Sequence, residues 1–179
     1  IGAFEHFCSI EEFKQGKQDE VYRKFFKFCH DILPKGGRLY LQTMVWGKKI
    51  PNPDTLRLDA SKRSDNLILA RAVKFYPGSW LPKGKNQLIK DAKPYFKFIS
   101  SNNGRLDYIE TLDRWQKAIR LLYTTWRMIP AFIASIKLLP RYITDSDFRT
   151  QLAFIYHQDQ SEIFKRKLFS HERIFFERR

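Results

Sequence analysis

The stretch Tyr22–Trp46, "YRKFFKFCHDILPKGGRLYLQTMVW", carries the strongest architectural signal in the chain. Tyr22, Phe25, Phe26, Cys29, Ile32 and Leu33 recur at spacings of three and four, which turns one apolar helix face toward a core. Asp19 stands where it could cap that helix, and Pro34 with Gly36-Gly37 ends it. "RLYLQTMVW" (Arg38–Trp46) follows at once, rich in β-branched and aromatic residues and apolar on both faces, as a buried strand is. Helix, tight Gly turn and buried strand make half of a βαβ unit, so Ile1 is expected to end the strand before it.

Upstream, "IGAFEHF" (residues 1–7) reads as that strand end, followed by a turn holding Glu5 and His6. Downstream, "GKKIPNPDTLRLDASKR" (47–63) reads as a loop, and Ser64 opens a helical pattern through Leu67, Leu69, Ala70, Val73 and Lys74 to the break at "YPGSW". A short helix around Asn86–Lys93, a strand at Tyr95–Ser100 and a turn at Asn102–Gly104 are expected next. Asp107 and Glu110 have capping-box spacing ahead of a helix carrying Leu112, Trp115, Ile119, Leu122 and Trp126. "IPAFIASIKLLPRYI" (129–143) reads as a short apolar segment bracketed by Pro130 and Pro140. A helix from about Asp145, with Phe148, Leu152, Ile155 and Tyr156, then leads to a terminal strand in "ERIFFERR" (172–179). The expected fold class is α/β: the second half of a sheet, with a helical insertion, in one domain.

The 179 residues are 43% hydrophobic, enough for a sizeable core. With 33 Lys and Arg against 19 Asp and Glu, the net charge is +14, which suits an anionic partner: nucleic acid, a phospholipid surface or an acidic carrier protein. The basic residues are dispersed and form no recognised RNA-binding motif, so nucleic acid is not the expected one. Cys8 and Cys29 read as free thiols of a reducing compartment. No apolar run reaches bilayer-spanning length, and no HExxH, H-x-E or CxxC spacing points to a metal. Gly36-Gly37 joins helix to strand, the wrong order for cradling a phosphate at a helix N-terminus.

Ligands of open α/β sheets sit beyond the carboxyl ends of the strands. Three positions meet that geometry: Glu5 after the first strand, Gln42–Thr43 late in the second, and Tyr108 just after the third. Together they offer a carboxylate, an amide and a phenol to one crevice. The alternative is structural, with Glu5 capping a turn, Gln42 paired at a sheet edge and Tyr108 packing at a helix start. His6 neighbours Glu5 and is read as structural, its side chain pointing away from that of Glu5.

"IGAFEHF", "YRKFFKFCHDILPKGGRLYLQTMV", "FYPGSWLP" (75–82) and "DYIETLDRW" (107–115), in this order and at these separations, resemble the C-terminal half of the cyclopropane-fatty-acid synthase family, and within it the mycolic acid methyltransferases. The resemblance covers nearly the whole chain. It implies a Rossmann-like, class I methyltransferase sheet with a terminal antiparallel strand. It also implies S-adenosylmethionine-dependent methyl transfer to the double bond of an unsaturated acyl chain on a phospholipid or carrier protein. The product would be a cyclopropane, a methylene group or a hydroxylated methyl branch, with a bicarbonate ion as the base.

By the same resemblance the bicarbonate site falls on the Ile1 backbone, Glu5 and Tyr108, and its histidine falls on Gln42, a departure. Glutamine neither titrates nor carries charge, so an anion beside it loses a charge-assisted bond and water capture becomes a rival to ring closure. The family's Gly-rich loop and main cofactor contacts precede the segment matching Ile1. Residues 1–179 are therefore expected to be the C-terminal part of a methyltransferase domain, inactive alone, and Cys8 does not take the role of the family's site cysteine. Phe75, Tyr76, Trp80, Leu81, Trp115 and Ile119 are candidates for lining an acyl tunnel, with plain core packing as the alternative. The apolar stretch 128–143, with Arg127, Lys137 and Arg141, suits a helix lying in a membrane interface, a buried connection or a dimer contact. The expected location is cytoplasmic, at the periphery of an anionic membrane. A small-molecule N-methyltransferase of the same fold and an inactive basic binding module are the alternatives.

Overall fold

The computed structural model describes residues 4–122, 128–156 and 159–179. Ile1, Trp126 and Arg127, which figure in the expectations above, lie outside them. After a 3₁₀ turn at Phe4–His6, the elements run α1 (Ile10–Lys14), α2 (Gln18–Ile32), β1 (Arg38–Trp46), α3 (Asp65–Phe75), α4 (Lys85–Ala92) and β2 (Phe96–Asn103). Then come α5 (Arg105–Leu122), α6 (Met128–Thr144), α7 (Ser146–Tyr156), α8 (Asp159–Lys165) and β3 (Phe169–Arg178). The strand order is β1-β3-β2, and β3 runs antiparallel to both neighbours. The last strand of the chain is therefore the middle of the sheet, and the four helices α5–α8 intervene between β2 and β3.

Each sheet face has its own core. Leu39, Leu41 and Val45 of β1, with Ile174 and Phe176 of β3, meet Tyr22, Phe26 and Cys29 of α2 and Leu88 and Ala92 of α4. Met44 and Trp46 turn the other way, onto Ile68, Leu69 and Ala72 of α3, Phe154 of α7 and Ile163 and Phe164 of α8. Alternation along β1 thus feeds two layers, with period two. The turn into β1 needs Gly36, at φ +74°, and the end of β1 needs Gly47, where a Cβ would lie 1.9 Å from the Lys167 carbonyl oxygen.

Several local expectations give way to longer-range contacts. Asp19 caps nothing; α2 begins without a side-chain cap, and Asp19 accepts from Gln87 Nε2 (2.6 Å) and Lys90 Nζ (3.0 Å) on α4. Asn102 and Asn103 are not a turn but the end of β2, because they pair with Arg173 and Glu172 of β3. Helix α5 consequently starts at Arg105, whose N–H is taken by Asn103 Oδ1 (3.0 Å), and Asp107 instead pairs with Arg173 (2.8 Å). Pro130 and Pro140 do not bracket a short segment, since both lie inside α6. Pro130 falls in the first turn, where its missing N–H has no intrahelical acceptor anyway. On α7 the buried residue is Phe154, while Tyr156 is exposed.

Asp91 of α4 is a charge buried between layers. Its Oδ1 accepts from Arg23 Nε at 3.2 Å, but that guanidinium is half-exposed and Oδ2 has no partner. Burial, followed by the nearby Asp19, pushes its carboxyl from the ordinary 3.8 to about 6, against the opposing pull of Arg23 and Lys90. A carboxyl whose folded pKa is raised holds its proton more tightly in the folded state. Its contribution to stability is complete below pH 3.8 and is lost as pH rises through about 6. Asp91→Asn is expected to flatten this decline, read as urea midpoints between about pH 4 and 7 for parent and variant.

Candidate active site

Glu5 sits in the 3₁₀ turn, 7% exposed, and its Oε2 accepts the Thr43 hydroxyl at 3.2 Å. It lines a cavity also walled by Met44 and Trp46 of β1, Ala72 and Val73 of α3, and Tyr76, Leu81 and Phe169. An adjoining cavity shares Met44, Tyr76 and Phe169 with it and continues past Tyr108, Leu112, Trp115 and Phe154 to Gln160 and Ile163. Sharing these three walls, the two cavities adjoin as an apolar trough, with Glu5 in the wall of the first part.

Burial, then Tyr108 and Glu5, push the Tyr76 phenol up to about 12, and burial with Glu5 raises Tyr108 as well. Both hydroxyls therefore stay protonated donors at neutral pH. The Tyr108 ring stacks on His171 (centroids 4.9 Å apart, planes at 12°). His171 is buried beside Arg173, both of which lower its pKa, so the imidazole is neutral there.

The three sequence candidates do not converge. Glu5 and Tyr108 flank the trough, but Gln42 does not wall the Glu5 cavity, and its Oε1 accepts from Tyr40 OH at 3.2 Å. Gln42 shares the strand face of Met44 and Trp46 but is not among the cavity's walls, and it is Thr43, on the opposite face, that reaches Glu5. Among the tunnel candidates, Tyr76 walls both cavities, Leu81 the first and Trp115 the second. Phe75 stacks on Phe154 (5.1 Å) behind the wall, and Ile119 is a turn beyond Trp115, 39% exposed. Trp80 is a core residue: fully buried, 4.7 Å from Trp46 and 5.1 Å from Phe13 between ring centroids.

His6 does not point away from Glu5. In the tight 3₁₀ turn both side chains wall the same cavity, with His6 Nδ1 2.9 Å from Ser79 Oγ. Met44, Phe169, Phe154 and Ile163 went unread as wall residues, since apolar periodicity marks a buried face without distinguishing core from cavity. His171 had no local signal at all. Cys8 and Cys29 are buried free thiols, and burial with the nearby Glu12 pushes Cys8 up to about 11. No group of side chains suited to a metal occurs among the described residues.

Residues 1–144 match the family described as mycolic acid cyclopropane synthetase. The chain belongs to that family. Over 127 residues it is 30% identical to cyclopropane mycolic acid synthase 2 of Mycobacterium leprae, covering 66% of this chain and 37% of that protein. The cyclopropane synthase MmaA2 from Mycobacterium tuberculosis superposes with a TM-score of 0.61 at 20% identity, over 99% of this chain and 53% of that one. The cyclopropane synthase CmaA1, complexed with S-adenosylhomocysteine and CTAB, gives 0.60 at the same identity and coverage. At such identity these two show the fold. The chain spans just over a third of that curated relative and about half of the solved chains.

Proposed function

We propose that the protein carrying this chain transfers a methyl group from S-adenosylmethionine to the double bond of an unsaturated acyl chain, and that these residues build the acyl side of the site. The observation that carries the reading is the pair of adjoining apolar cavities, the first with Glu5 in its wall. Support for the cofactor comes from the family and from the S-adenosylhomocysteine bound to CmaA1. When bound, S-adenosylmethionine supplies an electrophilic methyl group. Of the residues walling the trough, Glu5 is the one carboxylate, placed to offer countercharge to a cationic centre.

As the new C–C bond forms at one alkene carbon, positive charge develops at the other. The carboxylate of Glu5, held by Thr43, stabilises that charge in a poorly solvated cavity. Passage of a methyl proton to the Glu5 carboxylate then closes a cyclopropane, whereas capture of water, with its surplus proton passing to the same carboxylate, gives a hydroxylated branch. The phenols of Tyr76 and Tyr108, both protonated, add hydrogen-bond donors to the wall of the second cavity. Bicarbonate does not fit these residues by themselves: the Glu5 cavity has no Lys or Arg in its wall, its His6 imidazole is engaged with Ser79, and Gln42 is turned to Tyr40. No step is routed through it.

The test is product analysis by mass spectrometry with labelled S-adenosylmethionine and unsaturated phospholipid, on the intact polypeptide carrying this chain. Gln42→His is expected to shift the ratio from hydroxylated toward cyclopropane product, because an imidazole adds a titratable, chargeable group next in the chain to Thr43, which bonds Glu5. An unchanged ratio would remove Gln42 from product control.

Helix α6 supports a membrane-peripheral setting. Ile129, Phe132, Ile133, Ile136, Leu139 and Ile143 are all at least half-exposed, and no helix among the described residues is long and apolar enough to cross a bilayer. An apolar helix on a chain of net charge +14 suits the interface of an anionic leaflet. Co-sedimentation with vesicles is expected to need anionic lipid and to fall with salt; indifference to both would reject this setting.

A further inference from the structure

Helices α3 and α8 separate the trough from a second cleft. Ala72 and Val73 of α3 and Ile163 of α8 line the trough, Leu67 and Arg71 of α3 and Glu162 and Arg166 of α8 line the cleft, and Ile68, on the same helix face as Ala72, stands buried in the wall between them. This cleft, about 690 Å³, is also walled by Lys62, Arg63 and Asp159. Four cations therefore meet two acids there. Both acids are engaged: Asp159 with Arg71 (2.9 Å), and Glu162 with Arg166 (3.2 Å), which also holds Asp65 (3.0 Å).

The side chains of Lys62 and Arg63 have no hydrogen-bond or ion-pair partner among the described residues, so the excess positive charge is theirs. They sit just ahead of α3, whose N-terminus is the positive end of its dipole. Ser64 caps that end and Asp65 is held by Arg166, so both cations stand exposed at the cleft mouth, open to an incoming anion. Arg63 is held at φ 63°, with its carbonyl accepting from Arg166 Nη1 at 2.7 Å. The loop that presents both cations is thereby tied to the far wall of the cleft.

We propose that this cleft binds a phosphate group carried on an amphiphile, with Lys62 and Arg63 as its donors and Leu67 and Ile68 against its stem. A planar guanidinium and a mobile ammonium suit phosphate oxygens, and the apolar floor adds a preference for an esterified phosphate over the free ion. As the seat of the phosphodiester tethering an acyl chain to a lipid or a carrier arm, it rests on the acyl-chain reading above. Anion binding itself does not.

The experiment is NMR titration of the intact polypeptide carrying this chain with dihexanoyl phosphatidylglycerol, pantetheine 4′-phosphate and inorganic phosphate in parallel. Saturable shifts are expected at amides of residues 61–71 and 159–166, weakening with salt. In Lys62→Ala/Arg63→Gly the Kd is expected to rise about tenfold or more, the loss of at least one charge-assisted bond. Lys62→Glu alone serves where the double variant fails to fold. Binding of phosphatidylglycerol alone assigns the cleft to a lipid, binding of pantetheine phosphate alone to a carrier arm, and comparable binding of both to the shared phosphodiester. Inorganic phosphate binding as tightly as either ester, no saturable shift, or an unchanged Kd in a folded variant would overturn the proposal. Methyl transfer is not read out, so the failure of either reading leaves the other separately judged.

Discussion

Glu5→Gln is expected to lower methyl transfer by the intact polypeptide roughly 10²- to 10³-fold, the loss typical when one preorganised electrostatic partner of a transition state is removed. The substitution nearly preserves shape, and the amide oxygen still accepts the Thr43 hydroxyl that now bonds Glu5 Oε2 at 3.2 Å. What disappears is the negative charge in the wall of the trough. Because the charge matters only once a cationic carbon develops, the loss should fall on kcat and leave KM nearly unchanged. Glu5→Asp keeps the charge but shortens its reach, and should fall between parent and Glu5→Gln. An active Glu5→Gln enzyme with an unaltered thermal midpoint would show that Glu5 supplies no countercharge and would move the reacting end elsewhere in the trough.

Trp80→Ala is expected to cost about 3–5 kcal/mol of stability. The indole is fully buried, against Trp46 at 4.7 Å and Phe13 at 5.1 Å, and its backbone N–H bonds the Cys8 carbonyl at 2.8 Å. The loss combines transfer free energy with a cavity that two rigid rings cannot fill by collapsing. Against a total of about 5–15 kcal/mol for a domain, it leaves the fold marginal. Trp80→Phe should cost much less, since the indole Nε1 has no hydrogen bond to lose. Denaturant midpoints at constant slope check both. A Trp80→Ala chain as stable as the parent would return Trp80 to the list of trough residues.

Both outcomes turn on distinctions that local sequence carries unevenly. "FYPGSWLP" held three large aromatics and a leucine in eight residues, and apolar character alone could not sort them. Tyr76 and Leu81 meet the trough, whereas Phe75 and Trp80 meet other rings. Asp107 looked like a cap because its spacing to Glu110 is right, but Asn103 already occupied that role once β2 extended to meet β3. Glu5 was legible as an acid beyond a strand end. Its partner had to come from Thr43 or Gln42, adjacent residues on opposite faces, and only the register of β1 chose between them.

Periodicity and Gly-Pro punctuation in the chain established α2, the turn at Gly36-Gly37, β1 and α3, because each is set by contacts within a few residues. Four family-like segments in order established the relationship. Folding settled the rest: β3 entering between β1 and β2, the trough enclosed by residues from β1, α3, α5, α7 and α8, and the stacking of His171 on Tyr108 across 63 residues of chain. Such features depend on which distant surfaces meet. A cavity wall and a core contact use the same apolar residues, and the difference between them is a space left between elements, which has no residue of its own in the sequence.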